Sequence, residues 1–542
     1  MRKIITICII GLFALNVQAQ PVKTLKLSDK ELLDKIKGGW AGQTIGVVFG
    51  APTEFKFTGT YIQDYQPIPW AEGYVKYWWE KKPGLFDDIY NDCTFVEAFD
   101  ELGLDCSQEE LAKRFAFADY HLAHANQAGR YNIRQGIMPP ASGHWLNNPH
   151  ADDLDFQIEA DFIGLMAPAM LPEALDIASR VGHIMNSGDG FYGGAFVAAL
   201  YSSAFYEKSP EAILKTAISV IPEKSTFHQC IQDVINFHSL HPDNWKDCWY
   251  FLQEKWNCDV GCPKGVFLNF NIDAKLNSAF VALAMLYGKG DFTNSVDIAT
   301  RCGQDSDCNP STVGGVPIHD AEYTADCNPY DKIPSFWLNP LKEVEDFTFE
   351  GTNMSLAKAY QMSFDQAKQL IVKTGGKVSG GEIEIPIKKA DVLPLEQNFE
   401  NTYPLYRERK DCFLTDTFEF DFNGNGFVIW GNICCTRSIT PDYINRVSTR
   451  HIGSEVFGLA EPNDPYVAKV EIWIDGELDH VAALPMRNTD RKVEPAWKYL
   501  MKEGRHHVKM KWLNRKKDYI IRINDIMYYS EKKEHDRFYF NK

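Results

Sequence analysis

Cys302-Gly303-Gln304-Asp305-Ser306-Asp307-Cys308-Asn309-Pro310 sets two carboxylates two residues apart, just after an apolar-periodic segment, Ser295-Val296-Asp297-Ile298-Ala299. Gly303 permits a tight turn before them. Asn309-Pro310 after them favours a turn or a fresh helix start. The spacing predicts an acidic turn at a helix entrance. Two readings fit it: an acidic N-cap with a solvated neighbour, or oxygen ligands for a hard cation. Acidic clusters elsewhere in the chain favour the second.

Outward from this turn the pattern is helical. Apolar residues recur at helical spacing in Gly193–Phe205, Glu211–Ile221, Thr226–His238, Trp245–Lys255 and Asp273–Tyr287, and in Ala357–Val372, which Gly375-Gly376 closes. Strand-like alternation is nearly absent before residue 370. Helices joined by short loops predict an all-α domain. At its start, Ser28-Asp29-Lys30-Glu31 forms a capping box, with Leu32, Leu33, Ile36 and Trp40 at helical spacing behind it. Gly38, Gly39, Gly42, Gly46 and Gly50 follow, and small residues at this spacing predict a buried central helix against which others pack closely. Pro52 ends it, and Glu54 stands at its mouth.

Trp70 to Lys82 reads as an aromatic loop. Asp87-Asp88-Ile89-Tyr90-Asn91-Asp92-Cys93-Thr94 then opens an amphipathic helix with Phe95, Val96, Phe99 and Leu102 on one face. Three Asp in six residues exceed what favourable charge at a helix N-terminus requires. They are tolerated only if solvated or sharing a cation. Gln108 to Gln127 reads as helical, with His121 and His124 one turn apart, and Asn126 to Gly143 as a loop. Glu159 and Asp161 sit among apolar residues in Phe156–Met170 and need partners, either in a site or in a cation such as Arg180. Asn186-Ser187-Gly188-Asp189-Gly190 feeds a helix. Asp189 and Gly190 are candidate substrate contacts there, and an ordinary helix connection is the alternative.

Past residue 376 the texture changes. Glu382-Ile383-Glu384-Ile385, Phe418-Glu419-Phe420-Asp421-Phe422, Val470/Ile472/Ile474 before Asp475-Gly476, Val508/Met510/Trp512 and Tyr519/Ile521/Ile523 all alternate. Strands at regular spacing with turn signals predict a β-sandwich, jelly-roll-like in class. Such a module serves as a glycan-binding or stabilising appendage.

Composition bounds the rest. Apolar residues make up 45% and charged residues 24%, which places the chain among globular proteins. A net charge of −17 argues against nucleic-acid binding through phosphate neutralisation. Arg2-Lys3, the apolar run Ile4–Leu15 and Val17-Gln18-Ala19 read as a secretory leader. The expected organisation is a signal peptide at 1–19, an all-α catalytic domain at 20–376 and a β-sandwich at 377–542. Location is periplasmic or secreted, with no integral membrane segment after leader cleavage. Export permits disulfides, and Cys258 and Cys262 are close enough to bridge. No Cys-x-x-Cys pair with partner His points to structural zinc.

Taken together, residues 30 to 320 resemble the ADP-ribosylglycohydrolase family, the group that includes dinitrogenase reductase-activating glycohydrolase. Three stretches carry the resemblance: Gly50-Ala51-Pro52-Thr53-Glu54-Phe55; Asn91-Asp92-Cys93-Thr94, against the family's Thr-Asp-Asp-Thr; and Gly303-Gln304-Asp305-Ser306-Asp307-Cys308, against Gly-x-Asp-x-Asp-Thr. The resemblance implies an all-α glycoside hydrolase that uses Mg²⁺ or Mn²⁺ and cleaves at the anomeric carbon of a ribose-like sugar. It assigns Asn91, Asp92, Asp305 and Asp307 as metal ligands and Glu54, Asp92 and Asp305 as catalytic residues. Asp87 or Asp88 would join the ligands. The chain departs from the pattern at Val47, Asn91, Cys93 and Cys308, and thiols suit magnesium poorly. The ligand set therefore implies one cation rather than two. The expected partner is a small-molecule or glycan substrate. A hydrolase of a non-ADP-ribose glycan or glycoside, or a catalytically degenerate sugar-binding protein, are the alternatives.

Overall fold

The computed structural model describes residues 23–258, 261–316, 330, 333–435, 464–490 and 492–533. The leader expected at 1–19 lies outside them. Seventeen α-helices occur among the described residues: α1 Asp29–Gly50, α2 Tyr74–Lys81, α3 Asp87–Leu102, α4 Gln108–Phe117, α5 His124–Arg134, α6 Asp155–Ile158, α7 Asp161–Met166, α8 Leu171–Gly182, α9 Gly188–Ser203, α10 Pro210–Ile218, α11 Thr226–Leu240, α12 Trp245–Lys255, α13 Ala274–Gly288, α14 Phe292–Arg301, α15 Cys308–Gly315, α16 Ser335–Lys342 and α17 Leu356–Lys373. No helix among these is long and apolar enough to cross a membrane.

The capping box starts α1 as expected. Ser28 Oγ accepts from the Glu31 amide at 3.2 Å, and Glu31 Oε2 accepts from the Ser28 amide at 2.6 Å. The glycines then do what their spacing predicts. A Cβ on Gly42 would stand 1.8 Å from Gly314 O, on Gly46 2.2 Å from Pro310 O, and on Gly50 1.9 Å from Ser306 O. Along this seam α1 and the α15 segment pack backbone to backbone, and no larger residue fits. The seam fixes where the turn at 303–307 lies relative to the end of α1.

The β elements form three antiparallel sheets. β1 (Thr24–Ser28) pairs with β3 (Glu382–Pro386), which pairs with β2 (Lys377–Ser379). The alternation read at 382–385 is thus a strand, but its partner is the start of the chain. The sandwich proper begins at β4 (Tyr403–Leu414) and continues with β5 (Thr417–Gly424), β6 (Gly426–Cys435), β7 (Val467–Ile474), β8 (Glu477–Pro485), β9 (Ala496–Lys498), β10 (Gly504–Trp512) and β11 (Tyr519–Ser530). Its sheets run β4-β11-β6-β9 and β5-β10-β7-β8. Counting these eight strands from one, the orders are 1-8-3-6 and 2-7-4-5, the jelly-roll arrangement. Phe420, Phe427, Ile472, Met510 and Ile523 belong to the single core that the two sheets share. Asp475 and Gly476 both take positive φ, +53° and +87°, which suits the two-residue turn between β7 and β8.

The outer face of the β4-β11-β6-β9 sheet is not solvent-facing. Val428, Met527 and Tyr529 pack with Trp145, Ala151 and Val266 of the helical domain. Arg407 adds donors to the carbonyls of Pro263 and Val266, at 3.2 and 3.1 Å.

Four local expectations change; one is the loop read over 126–143, which is helical as far as Arg134 in α5. Residues 74–81 are helical, because Tyr74, Tyr77 and Trp78 gather on one side as ring neighbours. The helix read over 108–127 breaks between α4 and α5. Buried Arg130 needs acceptors, and Phe115 O in the last turn of α4 and Tyr120 O in the break supply them. His121 and His124 therefore share no helix. Cys258 and Cys262 are free thiols.

Candidate metal centre

The acidic turn is held on three sides. Gly303 and Gln304 take φ of +78° and +56°, and a Cβ at Gly303 would meet Phe57 O at 2.4 Å. Gln304 exchanges backbone hydrogen bonds with the loop after α1: its amide donates to Phe57 O at 3.0 Å, and its carbonyl accepts from the Phe55 amide at 3.1 Å. Its side chain accepts from the Asn271 amide at 3.0 Å and donates to Asn269 O at 2.9 Å. The Thr53 and Ser306 hydroxyls meet at 2.8 Å. Asp305 and Asp307 are fixed by this framework and buried.

The start of α3 faces them. The ligand atoms of Asp87, Asp88 and Cys308 lie within 4.8 Å of one another, as do those of Asp305, Asp307 and Cys308. Cys308 Sγ bridges the groups and donates to Asp88 Oδ1 at 3.2 Å. Glu54 stands at the rim, paired with Lys82 Nζ at 2.5 Å. Burial and mutual repulsion raise the carboxyl pKa values. Asp88 is pushed up to about 7 and Asp305 to about 6. Asp87 and Asp307 rise well above the usual carboxylate range, through burial first and then through their acidic neighbours, Glu54 included. Asp88 Oδ2 and Asp307 Oδ1 are buried without a hydrogen bond of ordinary geometry.

Four carboxylates converging from two helix starts, with orphaned oxygens between them, fit a hard divalent cation. The Cys308 thiol is a poor partner for such an ion. Its hydrogen bond to Asp88 marks it as a neighbour of the oxygen donors.

The structure brings Glu54, Asp305 and Asp307 together with Asp87 and Asp88. It places Asn91 and Asp92 one helical turn deeper along α3. Asp92 Oδ2 accepts from the Phe162 amide at 3.2 Å. Burial, Asp161 and Glu159 raise its pKa well above the usual range. Its carboxyl thus belongs to a second, inner acidic group. Glu159 finds its partner in Asn126 rather than in a cation, and Arg180 pairs with Asp176. Asn91 is fully buried, and neither amide atom has a hydrogen bond. Residues 88 and 92 share a helix face, so periodicity alone could not separate them. The adjacent Asp-Asp at the helix start was the available signal.

Asp189 and Gly190 are not in this cluster. Asp189 caps the start of α11, accepting from the Thr226 hydroxyl and from the Phe227 amide. Gly190 leaves no room for a side chain, since a Cβ would lie 2.1 Å from Ala151 O. Sequence reasoning missed the wall beside the carboxylates. Phe55 and Phe270 lie 5.1 Å apart, centroid to centroid, and Lys264 Nζ is 4.3 Å from the Phe270 ring centre. Burial lowers the Lys264 pKa, opposed by Cys262 and Asp153 first and then by Glu54 and Asp305.

A family profile for ADP-ribosylglycohydrolase matches residues 28–366. A search of curated proteins gives no match. Among solved structures, one described as an ADP-ribosylglycohydrolase-related protein complex is similar at 14% identity and a TM-score of 0.39, over 62% of this chain and 98% of that one. The profile spans α1 with its glycine seam, the Asp87-Asp88 helix start and the Asp305/Asp307 turn, and on that match the chain belongs to the ADP-ribosylglycohydrolase family.

Proposed function

We propose that this protein is an exported glycoside hydrolase that binds one Mg²⁺ or Mn²⁺ and cleaves a bond at the anomeric carbon of a ribose-like sugar. The observation that carries the reading is that Asp87/Asp88 and Asp305/Asp307 each gather about Cys308, with Asp88 Oδ2 and Asp307 Oδ1 buried without hydrogen bonds. Those four carboxylates would hold the cation. When bound, it supplies positive charge toward sugar hydroxyls and a water.

The chain's own groups do the rest. Glu54, tethered by Lys82 at the rim, is placed to orient a water and accept its proton. An oxocarbenium-like centre at the anomeric carbon is stabilised by nearby negative charge, which the cluster provides in excess of one dication. Phe55 and Phe270 offer apolar ring surface against a sugar or base face. Lys264, beside Phe270, offers a cation to an anionic substituent.

A glycoside without ADP-ribose is the second reading, favoured by the jelly roll packed directly against the helical domain. The test is turnover of ADP-ribosyl-arginine and of a furanoside panel, with and without Mg²⁺ or Mn²⁺, by the parent and by Asp305→Asn/Asp307→Asn. Metal-dependent turnover lost in the double variant supports the proposal. Activity on furanosides alone selects the second reading. Sugar binding without turnover overturns both in favour of a binding protein.

A further inference from the structure

A second polar cluster lies at the seam between the two domains, outside the carboxylate site. His150 Nδ1 is 2.8 Å from Asp153 Oδ2, and His124 Nδ1 is 3.2 Å from the same oxygen. Cys262 Sγ is 3.6 Å from His150 Nδ1. All four donor atoms lie within 4.8 Å of one another. His150, Asp153 and Cys262 are buried to 1% exposure or less. Asp153 Oδ1 has no hydrogen-bond partner, and His124 Nδ1 forms no bond of ordinary geometry despite its closeness to Asp153.

We infer that His124, His150, Asp153 and Cys262 form a structural Zn²⁺ site that joins the helical domain to the sandwich. Two imidazoles, a carboxylate and a thiolate are a borderline-soft set that suits zinc and not magnesium. Zinc bonds of 2.0–2.3 Å place tetrahedral ligands about 3.3–3.7 Å apart. Of the three close separations, 3.6 Å falls in that range and 2.8 and 3.2 Å fall short of it, so a bound Zn²⁺ would move the imidazoles from Asp153 by up to about half an ångström. With Asp153 and Cys262 anionic and both imidazoles neutral, Zn²⁺ leaves the four-ligand set without net charge. Binding would release the Cys262 thiol proton and leave both Nδ1 atoms unprotonated.

Surrounding groups are arranged as metal sites require. His150 Nε2 is 2.7 Å from Glu494 Oε1, so the nitrogen opposite the ligating one faces a buried carboxylate. Glu494 comes from the segment before β9, which makes the sandwich part of the site. Asp273 holds the Cys262 loop, accepting from the Gly261 and Cys262 amides at 2.8 and 3.2 Å. The side chain of His124, 14% exposed, gives a path from solvent.

The experiment uses the full chain, stripped with chelator and kept in excess Mg²⁺, titrated calorimetrically with Zn²⁺ alone. The Asp305→Asn/Asp307→Asn variant should take up one Zn²⁺ per chain, which separates this site from the carboxylate centre. Glu494→Gln should weaken uptake about 10–100-fold. Cys262→Ser and His124→Ala should weaken it further. Co²⁺ in the parent should give a near-ultraviolet thiolate-to-metal absorption that Cys262→Ser abolishes while its far-ultraviolet dichroism stays native. If Cys262→Ser does not fold, His124→Ala, on the accessible side, decides by the same titration. No stoichiometric Zn²⁺ uptake, or uptake indifferent to these substitutions, overturns the inference and leaves His150 as an ionic tie between Asp153 and Glu494.

Discussion

The carboxylate centre and the domain-seam cluster are both buried and both rich in titratable groups, yet they balance charge in opposite ways. Among the described residues, the groups around Asp87, Asp88, Asp305 and Asp307 include no histidine, and Lys82 at the rim pairs with Glu54. Around Asp153 the chain provides two imidazoles, and a second acid, Glu494, faces the far side of one of them. The first cluster is left needing a cation from outside. The second carries less negative charge, and its imidazole and thiol donors suit a borderline-soft ion. The all-carboxylate set suits a hard ion, whereas the mixed set suits a borderline-soft one.

The contrast can be broken most directly at the carboxylates. Asp305→Asn/Asp307→Asn should lower metal-dependent turnover by more than about 100-fold, beyond the 10–100-fold typical of outer-sphere partners. Turnover within tenfold of the parent would show that this cluster's charge is not needed.

The next test concerns how each cluster is held in place. Gly46→Ala forces a methyl against the Pro310 carbonyl, 2.2 Å away. Overpacking of this kind costs about 1–3 kcal/mol or more, and here it pushes the α15 segment off α1. Calorimetric melting should show the loss, and cation affinity at the carboxylates should fall with it. Zn²⁺ uptake at the seam should change little, since the substitution is made in the α1–α15 packing.

The seam has a titration of its own. Lys492 lies between the rings of Tyr131 and Trp497, at 4.4 and 4.9 Å, and burial lowers its pKa to about 8. The folded state therefore releases this proton at a lower pH than the unfolded chain, where the pKa is near 10.4. Between about pH 8 and 10.5 the unfolded state binds more protons, so this residue's contribution to stability rises with pH. Below about pH 8 it is a constant penalty. Denaturant titrations of the parent and Lys492→Met should differ in pH slope over that window, by on the order of 3 kcal/mol in total. Parallel curves would show that the ammonium is solvated.

The smallest effect sharpens the boundary of the carboxylate site. Asp92 sits in the inner acidic group with Asp161 and Glu159, its pKa already raised. Asp92→Asn replaces the carboxyl with a near-isosteric amide and should change cation affinity by less than about tenfold, or 1.4 kcal/mol. Asp88→Asn should cost distinctly more. Equal losses would put Asp92 back among the ligands.

Much of this was legible in the residues themselves. The capping box, the glycine stripe, the helical run and the Asp-Gly turn are local features. Each states its conformation through dihedral preference or periodicity, and the jelly roll followed from alternation and turn spacing. The Asp305/Asp307 pair stood out at a helix entrance, whereas Glu54 was singled out only through the family resemblance. The ligand register along α3 could not. Asp87-Asp88 and Asn91-Asp92 are one turn apart on the same face, and only the position of α15 decides which pair meets the acidic turn. The His124–His150–Asp153–Cys262 group lay further out of reach, because its members have no common spacing. The sequence alone determined which segments are helix or strand and where carboxylates gather, since backbone preference and hydrophobic period act over a few residues. Only the tertiary structure decided which acids come together and that the sandwich meets the helical domain at His150 and Glu494, because those pairings depend on how distant elements pack.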